Sequence, residues 1–534
     1  MIIVPVTGST LELARQQVQL SGRFADMLEL RLDMIGPGTG RSILRRSRKP
    51  CIATCRPVRE GGKYAGDEKA RLLILTEAVR FGAAYVDIER DTVKEFRARL
   101  EAEHLRAKLI VSKHIFVSGM PAIRKEYRNL RTAGADIVKI AFMASDAWQL
   151  SGVREFLRMA MADRQKAIAL AMGEAGEASR ILYKVFGGWA TYGAPEVGDP
   201  SAPGQLTARV LRTVFHVHER TRRTRIFGLV GNPVGQSKGI YIHNPLYFAA
   251  GYDGIYVRFP IADLERFMKH VGPFVTGCSV TLPHKTAMMR YCSSPTAAAS
   301  AIGAVNTIVR RHGRWHGANT DANAALDAIE RRRPVRGKRV VIMGAGGAAR
   351  AIAVEAKRRG AEVVIANRTA ANARTMAAEA GVEWTSLNNA PDLLPEILVN
   401  TTPVGMWPDV HSTPIAAIPE SVQLAFDAIY NPPLTRFLAL AKERNIDVVT
   451  GAEMYARQAV EQIRILTGLR VTASRVNKLF NAASALRPQA SPAEREVFPA
   501  VSNTPAVSDT GLAGAIPASD APGHADPEET RSKS

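Results

Sequence analysis

From Lys338 to Arg350 the chain reads Lys-Arg-Val-Val-Ile-Met-Gly-Ala-Gly-Gly-Ala-Ala-Arg. An apolar run, a cluster of glycines and a run of small residues predict a buried strand, a tight turn and a helix. Gly344, Ala345, Gly346, Gly347 and Ala348 carry little or no side chain, so the backbone could approach a pyrophosphate. The helix N-terminus would turn unpaired N–H groups toward it. A second apolar run, 362–366, ends in Asn367-Arg368-Thr369. A free ribose 2′-hydroxyl is read by an acid near this point, whereas an arginine suits the extra 2′-phosphate of NADP. This half of the chain therefore reads as an NADP-dependent oxidoreductase. The glycine pattern alone would also serve helix packing.

A second chemistry is written around Lys139, in Asp-Ile-Val-Lys-Ile-Ala-Phe. A lysine on a predicted buried strand must be paired or neutralised. Desolvation and cationic neighbours would lower its pKa and make the amine a nucleophile toward a carbonyl. The plainer alternative is a strand-end lysine whose head reaches solvent. His114, at the end of the preceding predicted strand, could move a proton beside it near neutral pH, or be a hydrogen-bonded core histidine.

The elements that must hold these residues repeat as strand, loop, helix through about residue 219. Strands are predicted at 2–6, 27–33, 51–56, 85–90, 108–114, 136–142, 166–172 and 188–192, with helices such as 67–81, 121–133 and 146–161 between them. Eight strands, several apolar on both faces, predict a (β/α)8 barrel. Glu29, Arg31, Arg56, Glu89, Lys113, His114 and Lys139 fall at the strands' C-terminal ends, which converge on one mouth. Residues 219–225 are polar and aperiodic and read as a linker. Beyond them, Asn, Thr, Ser, Lys and Asp gather at strand ends in 231–244, 279–285, 303–307 and 317–321. They suit a small polyol acid, although each cluster alone is ordinary turn chemistry.

A chain of 534 residues exceeds one core, and its formal net charge is +21. The basic runs 45–49, 222–225 and 331–339 are short, separate and free of interleaved aromatics. They favour a solvated surface that attracts small anions over a nucleic-acid interface. Cys51, Cys55, Cys278 and Cys292 form no C-x-x-C, and no His/Cys pairing has metal spacing. Reduced thiols, no metal, no leader peptide and no run of membrane-spanning length set the expectation of a cytoplasmic protein acting on small molecules. The sequence is silent on oligomeric state.

Glu29-Leu-Arg31, Thr54-Cys-Arg56, Glu60-Gly-Gly62, Asp87-Ile-Glu89, Lys113-His114, Val138-Lys139-Ile140, Gly176-Glu-Ala-Ser-Arg180 and Ser201-Ala-Pro-Gly-Gln205 resemble a type I 3-dehydroquinate dehydratase, over residues 1–218. The resemblance implies that Lys139 forms a Schiff base, that His114 is the general acid/base and that Glu89 orients it. Glu29, Arg31, Arg56, Arg180, Ser201 and Gln205 would hold the substrate's hydroxyls and carboxylate.

Residues 224–486 resemble shikimate dehydrogenase. The motifs are the glycine turn, Asn367-Arg368-Thr369, Gly231 to Asn244, Ser279 to Lys285, Gly303 to Thr307, Gly317 to Asp321, Asn400 to Met406, Asp427 to Tyr430 and Gly451 to Gln458. This implies a substrate domain at 224–325 and a Rossmann domain at 326–486 whose last helix, near 474–486, returns to the substrate domain. Lys285 and Asp321 would be the catalytic pair. Ser237, Gly239, Thr281, Asn306 and Gln458 would meet substrate. Gly344, Ala345, Gly346, Gly347, Ala348, Asn367, Arg368, Thr369, Thr401, Met406 and Gly451 would meet NADP. The family usually reads His-Ser-x-Ser-Pro where this chain has Gln236-Ser-Lys-Gly239-Ile240. It usually has Asn at Ser279 and Gly at Ala322. Residues 487–534, rich in Pro, Ala, Ser and Thr, read as a disordered tail. The expected whole is a bifunctional enzyme that dehydrates 3-dehydroquinate and reduces the product to shikimate with NADPH. The alternatives are a dehydrogenase acting substantially on quinate, or a catalytically silent metabolite sensor.

Overall fold

Strands buried on both faces need helices on one side and each other's side chains on the other, and the N-terminal half meets that need by curling. The computed structural model describes residues 1–36 and 38–485; the tail expected at 487–534 lies outside the described residues. Eight parallel strands run β1 (Ile2–Val6), β2 (Met27–Arg31), β3 (Cys51–Thr54), β4 (Tyr85–Glu89), β5 (Lys108–Ile115), β6 (Ile137–Met143), β7 (Lys166–Met172) and β8 (Thr191–Tyr192). Neighbours pair in chain order, and β8 pairs with β1. Closure toward β7 rests on one backbone bond before β8, from Trp189 N–H to the Ala167 carbonyl at 2.8 Å.

The expected strands 27–33, 51–56 and 188–192 are shorter in the structure. After Arg31 the chain turns, with Leu32 N–H bonding back to the Leu30 and Thr54 carbonyls. The expected helix 146–161 begins instead as a 3₁₀ turn, Ala147–Gln149, capped reciprocally by Asp146 and Gln149, before the α-helix Leu150–Ala162.

Period-2 alternation builds the barrel in layers. Ile3, Met27, Ile52, Ile110, Ile137 and Ile168 fill the floor. Two residues further along β2, β3, β5 and β6, the inward positions turn polar: Glu29, Thr54, Ser112 and Lys139. Val138 and Ile140 face outward into the large core under the helices.

The polar segment 219–225 is not a loose tether. Arg220 is buried and donates to the Phe215 carbonyl, Thr224 Oγ1 donates to Asp253 at 2.7 Å, and Arg225 already belongs to the next strand. A mixed sheet follows, made of β9 (Arg225–Gly231), β10 (Gly254–Pro260), β11 (Gly277–Val280), β12 (Ser294–Pro295), β13 (Thr307–Arg311) and β14 (Arg314–Ala318), in the order β10-β9-β11-β13-β14-β12. The third sheet is wholly parallel: β15 (Arg339–Met343), β16 (Glu362–Asn367), β17 (Glu383–Ser386), β18 (Ile397–Asn400), β19 (Leu424–Asp427) and β20 (Asp447–Val449). Its order, β17-β16-β15-β18-β19-β20, is the doubly wound one, with its switch point between β15 and β18. The last two helices, Gly451–Thr467 and Ala473–Ala485, pack on each other, and the second lies against the helix Ile240–Ala249 of the mixed-sheet domain.

Two candidate active sites

In the barrel, Lys139 is 4% exposed and is not surrounded by apolar groups as the sequence suggested. Its Nζ lies 2.7 Å from Asp87 Oδ2, 3.1 Å from the Tyr192 hydroxyl and 3.8 Å from Glu29 Oε1. The outward-facing neighbours Val138 and Ile140 gave the strand its apolar reading; the inward face is ionic. Arg56 sits in the same layer, 2.7 Å from Asp87 and 2.5 Å from Glu89, and also donates to Ser112. Burial opposes its charge, but the two carboxylates outweigh that and raise its pKa. Asp87 is driven well below the usual carboxylate range: burial resists ionisation, and Arg56 and Lys139 overcome it.

The expected contact from Glu89 to His114 is absent. Glu89 is occupied by Arg56 and by Arg71, 2.7 Å away, and burial raises its pKa. Glu60 takes the place instead. Its Oε2 accepts from the His114 backbone N–H at 2.6 Å and lies 3.3 Å from His114 Nδ1, while Oε1 pairs with Lys113 at 2.7 Å. Burial works against the Glu60 charge, yet the bonds from His114 and Lys113 hold it down at about 2. A carboxylate at Nδ1 leaves Nε2 as the free nitrogen of the ring. Desolvation first, then the Arg56 charge, lowers His114 to about 3, so the imidazole is neutral at pH 7.

Arg180, on the short helix Glu177–Ile181, is 1% exposed and bonds only carbonyls, those of Ala171 and Pro203. Burial without a contacting acid lowers its pKa to about 10. Such a cation is unfulfilled until an anion arrives. Ser201 and Gln205 bond each other on the loop beside it. Arg31 forms a bidentate pair with Asp33.

The second site is a cavity of about 330 Å³ lined by the mixed-sheet domain, the doubly wound domain and the helix Gly451–Thr467. Lys285 Nζ lies 2.6 Å from Asp321 Oδ2. Asn306 Nδ2 donates to the other oxygen of Asp321 at 2.9 Å and to Thr320, so the carboxylate that positions the lysine is itself fixed. Ser237, Gly239, Thr281 and Gln458 line the same cavity, as do Ala348 and Gly451 from the neighbouring domain. The lining also includes Ser279 and Tyr430, which the sequence reading named only within motifs, and Tyr256 and Gln462, which it did not single out.

The glycine turn follows β15 at the switch point. Gly344 has φ +114°, and a Cβ there would fall 2.5 Å from Thr401 Oγ1 after β18. Positive φ and close approach together require glycine. Above Gly346 and Gly347 a Cβ would meet nothing within 4 Å, leaving open space over the first turn of the helix Gly347–Arg358. Asn367 donates to the Thr369 carbonyl, and Arg368 and Met406 stand exposed beyond. Met406 does not line the cavity.

Comparison with known proteins matches this geometry. The type I 3-dehydroquinase family matches residues 2–222, the shikimate dehydrogenase substrate-binding domain residues 229–308, and the shikimate/quinate 5-dehydrogenase family residues 327–403. The chloroplastic bifunctional 3-dehydroquinate dehydratase/shikimate dehydrogenase of Arabidopsis thaliana is 36% identical, covering 83% of this chain and 78% of that protein. The shikimate dehydrogenase (NADP(+)) of Shouchella clausii is 37% identical over 46% of this chain and 94% of its own length. With both halves matched in order along one polypeptide, the chain belongs to the family of bifunctional 3-dehydroquinate dehydratase/shikimate dehydrogenases.

Proposed function

We propose that the barrel dehydrates 3-dehydroquinate to 3-dehydroshikimate through a Lys139 Schiff base, and that the second site reduces that product to shikimate with NADPH. The observation that carries the reading is the presence of two complete lysine–carboxylate centres in one chain, Lys139 with Asp87 and Lys285 with Asp321.

In the barrel, Arg180, which contacts only carbonyls among the described residues, takes the substrate carboxylate. Glu29, Arg31, Arg56, Ser201 and Gln205 complete the shell around the ring. Lys139 Nζ attacks the substrate carbonyl once its ammonium proton has passed to a neighbouring base. Water leaves the carbonyl carbon and the imine forms. The protonated imine acidifies the adjacent C–H. Neutral His114 Nε2 removes that proton and returns it to the departing hydroxyl, with Glu60 at Nδ1 stabilising the imidazolium in between. Hydrolysis of the imine restores Lys139.

In the second site, Gly344 to Ala348, Thr401 and Gly451 would hold the dinucleotide. Asn367, Arg368 and Thr369 would hold its adenosine end, with Arg368 on the 2′-phosphate and Met406 at the rim. The open turn at Gly346 and Gly347 and the exposed Arg368 fit that group. Bound NADPH supplies a hydride. Lys285 gives the proton that the reduced carbonyl oxygen requires, and Asp321 holds the ammonium in place. Ser237, Thr281, Asn306 and Gln458 orient the ring. A second reading, substantial action on quinate, is favoured by Gly239, which lines the cavity without a side chain of its own.

No helix among the described residues is long and apolar enough to cross a membrane. The dispersed basic runs support a cytoplasmic enzyme of small-molecule substrates.

Purified protein with 3-dehydroquinate should yield 3-dehydroshikimate alone, and shikimate when NADPH is added. Lys139→Ala should abolish the dehydration and leave NADPH-dependent reduction of 3-dehydroshikimate within about twofold. Borohydride added with 3-dehydroquinate should fix a substrate-sized mass on Lys139. A Lys139→Ala enzyme dehydrating at full rate removes the Schiff base.

A further inference from the structure

Asn400 closes β18 and Asp427 closes β19, in register with each other and both fully buried. Their side chains meet. Asn400 Nδ2 lies 3.2 Å from each Asp427 oxygen. A carboxylate only accepts, so the amide orientation is set: Nδ2 faces Asp427, and Oδ1 faces away from it. There Oδ1 accepts from the Thr402 backbone N–H at 2.9 Å and from Thr402 Oγ1 at 2.7 Å. Thr402 Oγ1 in turn accepts the Val404 N–H at 3.2 Å. The loop after β18 is thereby wrapped around one amide.

That loop carries Thr401. Its N–H and Oγ1 both donate to the Met343 carbonyl, at 2.9 and 2.8 Å, and Oγ1 sits where it would crowd any Cβ on Gly344. On the other side, Asp427 Oδ1 accepts the Ile429 N–H at 2.9 Å, and Oδ2 accepts Thr435 Oγ1 at 2.7 Å. This fixes the loop after β19, where Ala428 and Tyr430 line the second cavity. The loop presses on Gly451, whose Cβ would fall 2.4 Å from the Ile429 carbonyl oxygen. Burial raises the Asp427 pKa, and only the hydrogen bonds from Ile429, Thr435 and Asn400 oppose it. A buried carboxylate without a counter-ion is a costly way to secure a fold. What it supplies that a neutral group does not is an acceptor at both oxygens.

The geometry points to Asp427 as a positioning residue for the dinucleotide. By fixing the Asn400 amide it holds Thr401 against the glycine turn, and by fixing Ile429 it holds the next loop against Gly451. Both places were assigned to the cofactor above, and the inference rests on that assignment.

The test exchanges the two polarities in the full chain and reads NADPH binding directly, by fluorescence titration, beside turnover. Asp427→Asn leaves one acceptor where two are used, and the Kd for NADPH should rise about three- to tenfold, the loss of about one hydrogen bond. The KM for shikimate at saturating NADP+ and the dehydratase kcat should stay within about twofold. Asn400→Asp sets two carboxylates face to face and should weaken NADPH further. The double variant Asn400→Asp/Asp427→Asn restores a carboxylate–amide pair with its ends exchanged, and it should bind NADPH more tightly than Asn400→Asp alone. A wild-type Kd in Asp427→Asn overturns the inference. A shikimate KM that rises in step with the Kd also overturns it, because the carboxylate would then only stiffen the whole site. So does a double variant no tighter than Asn400→Asp. Wild type that binds no NADPH overturns the cofactor reading itself, and this inference with it.

Discussion

Glu60 and His114 set the protonation state of the barrel site. Desolvation and the Arg56 charge pull His114 down to about 3, and the Glu60 carboxylate, held at about 2, opposes them. A base that is already neutral in the free enzyme gives no acid limb near pH 6.5. The kcat/KM of dehydration should therefore stay level as pH falls through 6.5, where an ordinary histidine would show a tenfold loss per unit. Glu60→Gln removes the partner of the imidazolium and should lower the dehydratase kcat about 10²-fold, the lower end of what a positioned acid–base contributes, while reduction of 3-dehydroshikimate is unaffected. The linkage has one sign. Both groups bind protons less tightly folded than unfolded, so stability is complete above pH 6.5 and falls as pH drops, through His114 from 6.5 toward 3 and through Glu60 from 4.5 toward 2. Melting temperature against pH should fall less steeply between 6.5 and 3 for His114→Gln; an equally steep curve would mean that His114 is already charged in the folded enzyme. Sequence placed His114 and Lys139 at one mouth, offered Glu89 as the partner of His114, and named none for Lys139. Glu60 and Glu89 both lie in recognisable motifs. What separates them is that Arg71, on the helix Glu68–Arg80, claims Glu89, and a contact across three elements has no signature in spacing.

At the scale of elements the sequence was most informative where one period repeats. Strands β1 and β7 fall at the expected residues, because apolar runs bounded by turns leave little choice. The expected strands 27–33, 51–56 and 188–192 are too long, since pairing stops where neighbours run out, whereas β5 and β6 run one residue past their expected ends. At Gly239, where the family usually carries serine, a Cβ would lie 3.2 Å from the ring edge of Tyr256 on β10. Gly239→Ser tests the substrate consequence. The backbone there tolerates serine, and its Cβ, 3.2 Å from the Tyr256 ring edge, asks that ring to give by a few tenths of an ångström. The added hydroxyl can reach a substrate carboxylate and takes the space that an extra tertiary hydroxyl would use. The ratio of kcat/KM for shikimate over quinate should rise about tenfold, the scale of one charge-assisted hydrogen bond. Wild type with no measurable quinate oxidation, together with an unchanged shikimate kcat/KM in the variant, would make Gly239 a packing residue for Tyr256 alone.

The whole molecule is joined by the strand that carries Lys139. Past the end of β6, Asp146 caps its own turn with Oδ1 and accepts the Ala262 and Asp263 backbone N–H groups with Oδ2, at 2.8 and 3.0 Å. Those two residues follow β10, the strand of Tyr256. Around this clamp Trp148 meets His270, Phe186 meets Phe274 edge-on, and His216 stacks on Phe248. Glu177, three residues before Arg180, pairs with Arg258 of β10 at 3.5 Å. One apolar core runs through barrel and mixed-sheet domain without a break. Polar residues 219–225 read as a linker because composition reports solvent preference, not the partners a folded chain supplies. The consequence is cooperative unfolding. In wild type, dehydratase and dehydrogenase activities should be lost at one temperature on graded heating. Asp146→Ala strands two backbone N–H groups at the junction, at a cost of about 1–3 kcal/mol each where they are buried. It should lower the dehydrogenase inactivation temperature by several degrees more than that of the dehydratase, whose barrel closes on itself. Asp146→Asn keeps one acceptor oxygen and should fall between the two. Inactivation curves that stay superimposed in Asp146→Ala would show that the aromatic contacts and shared core carry the coupling without the clamp.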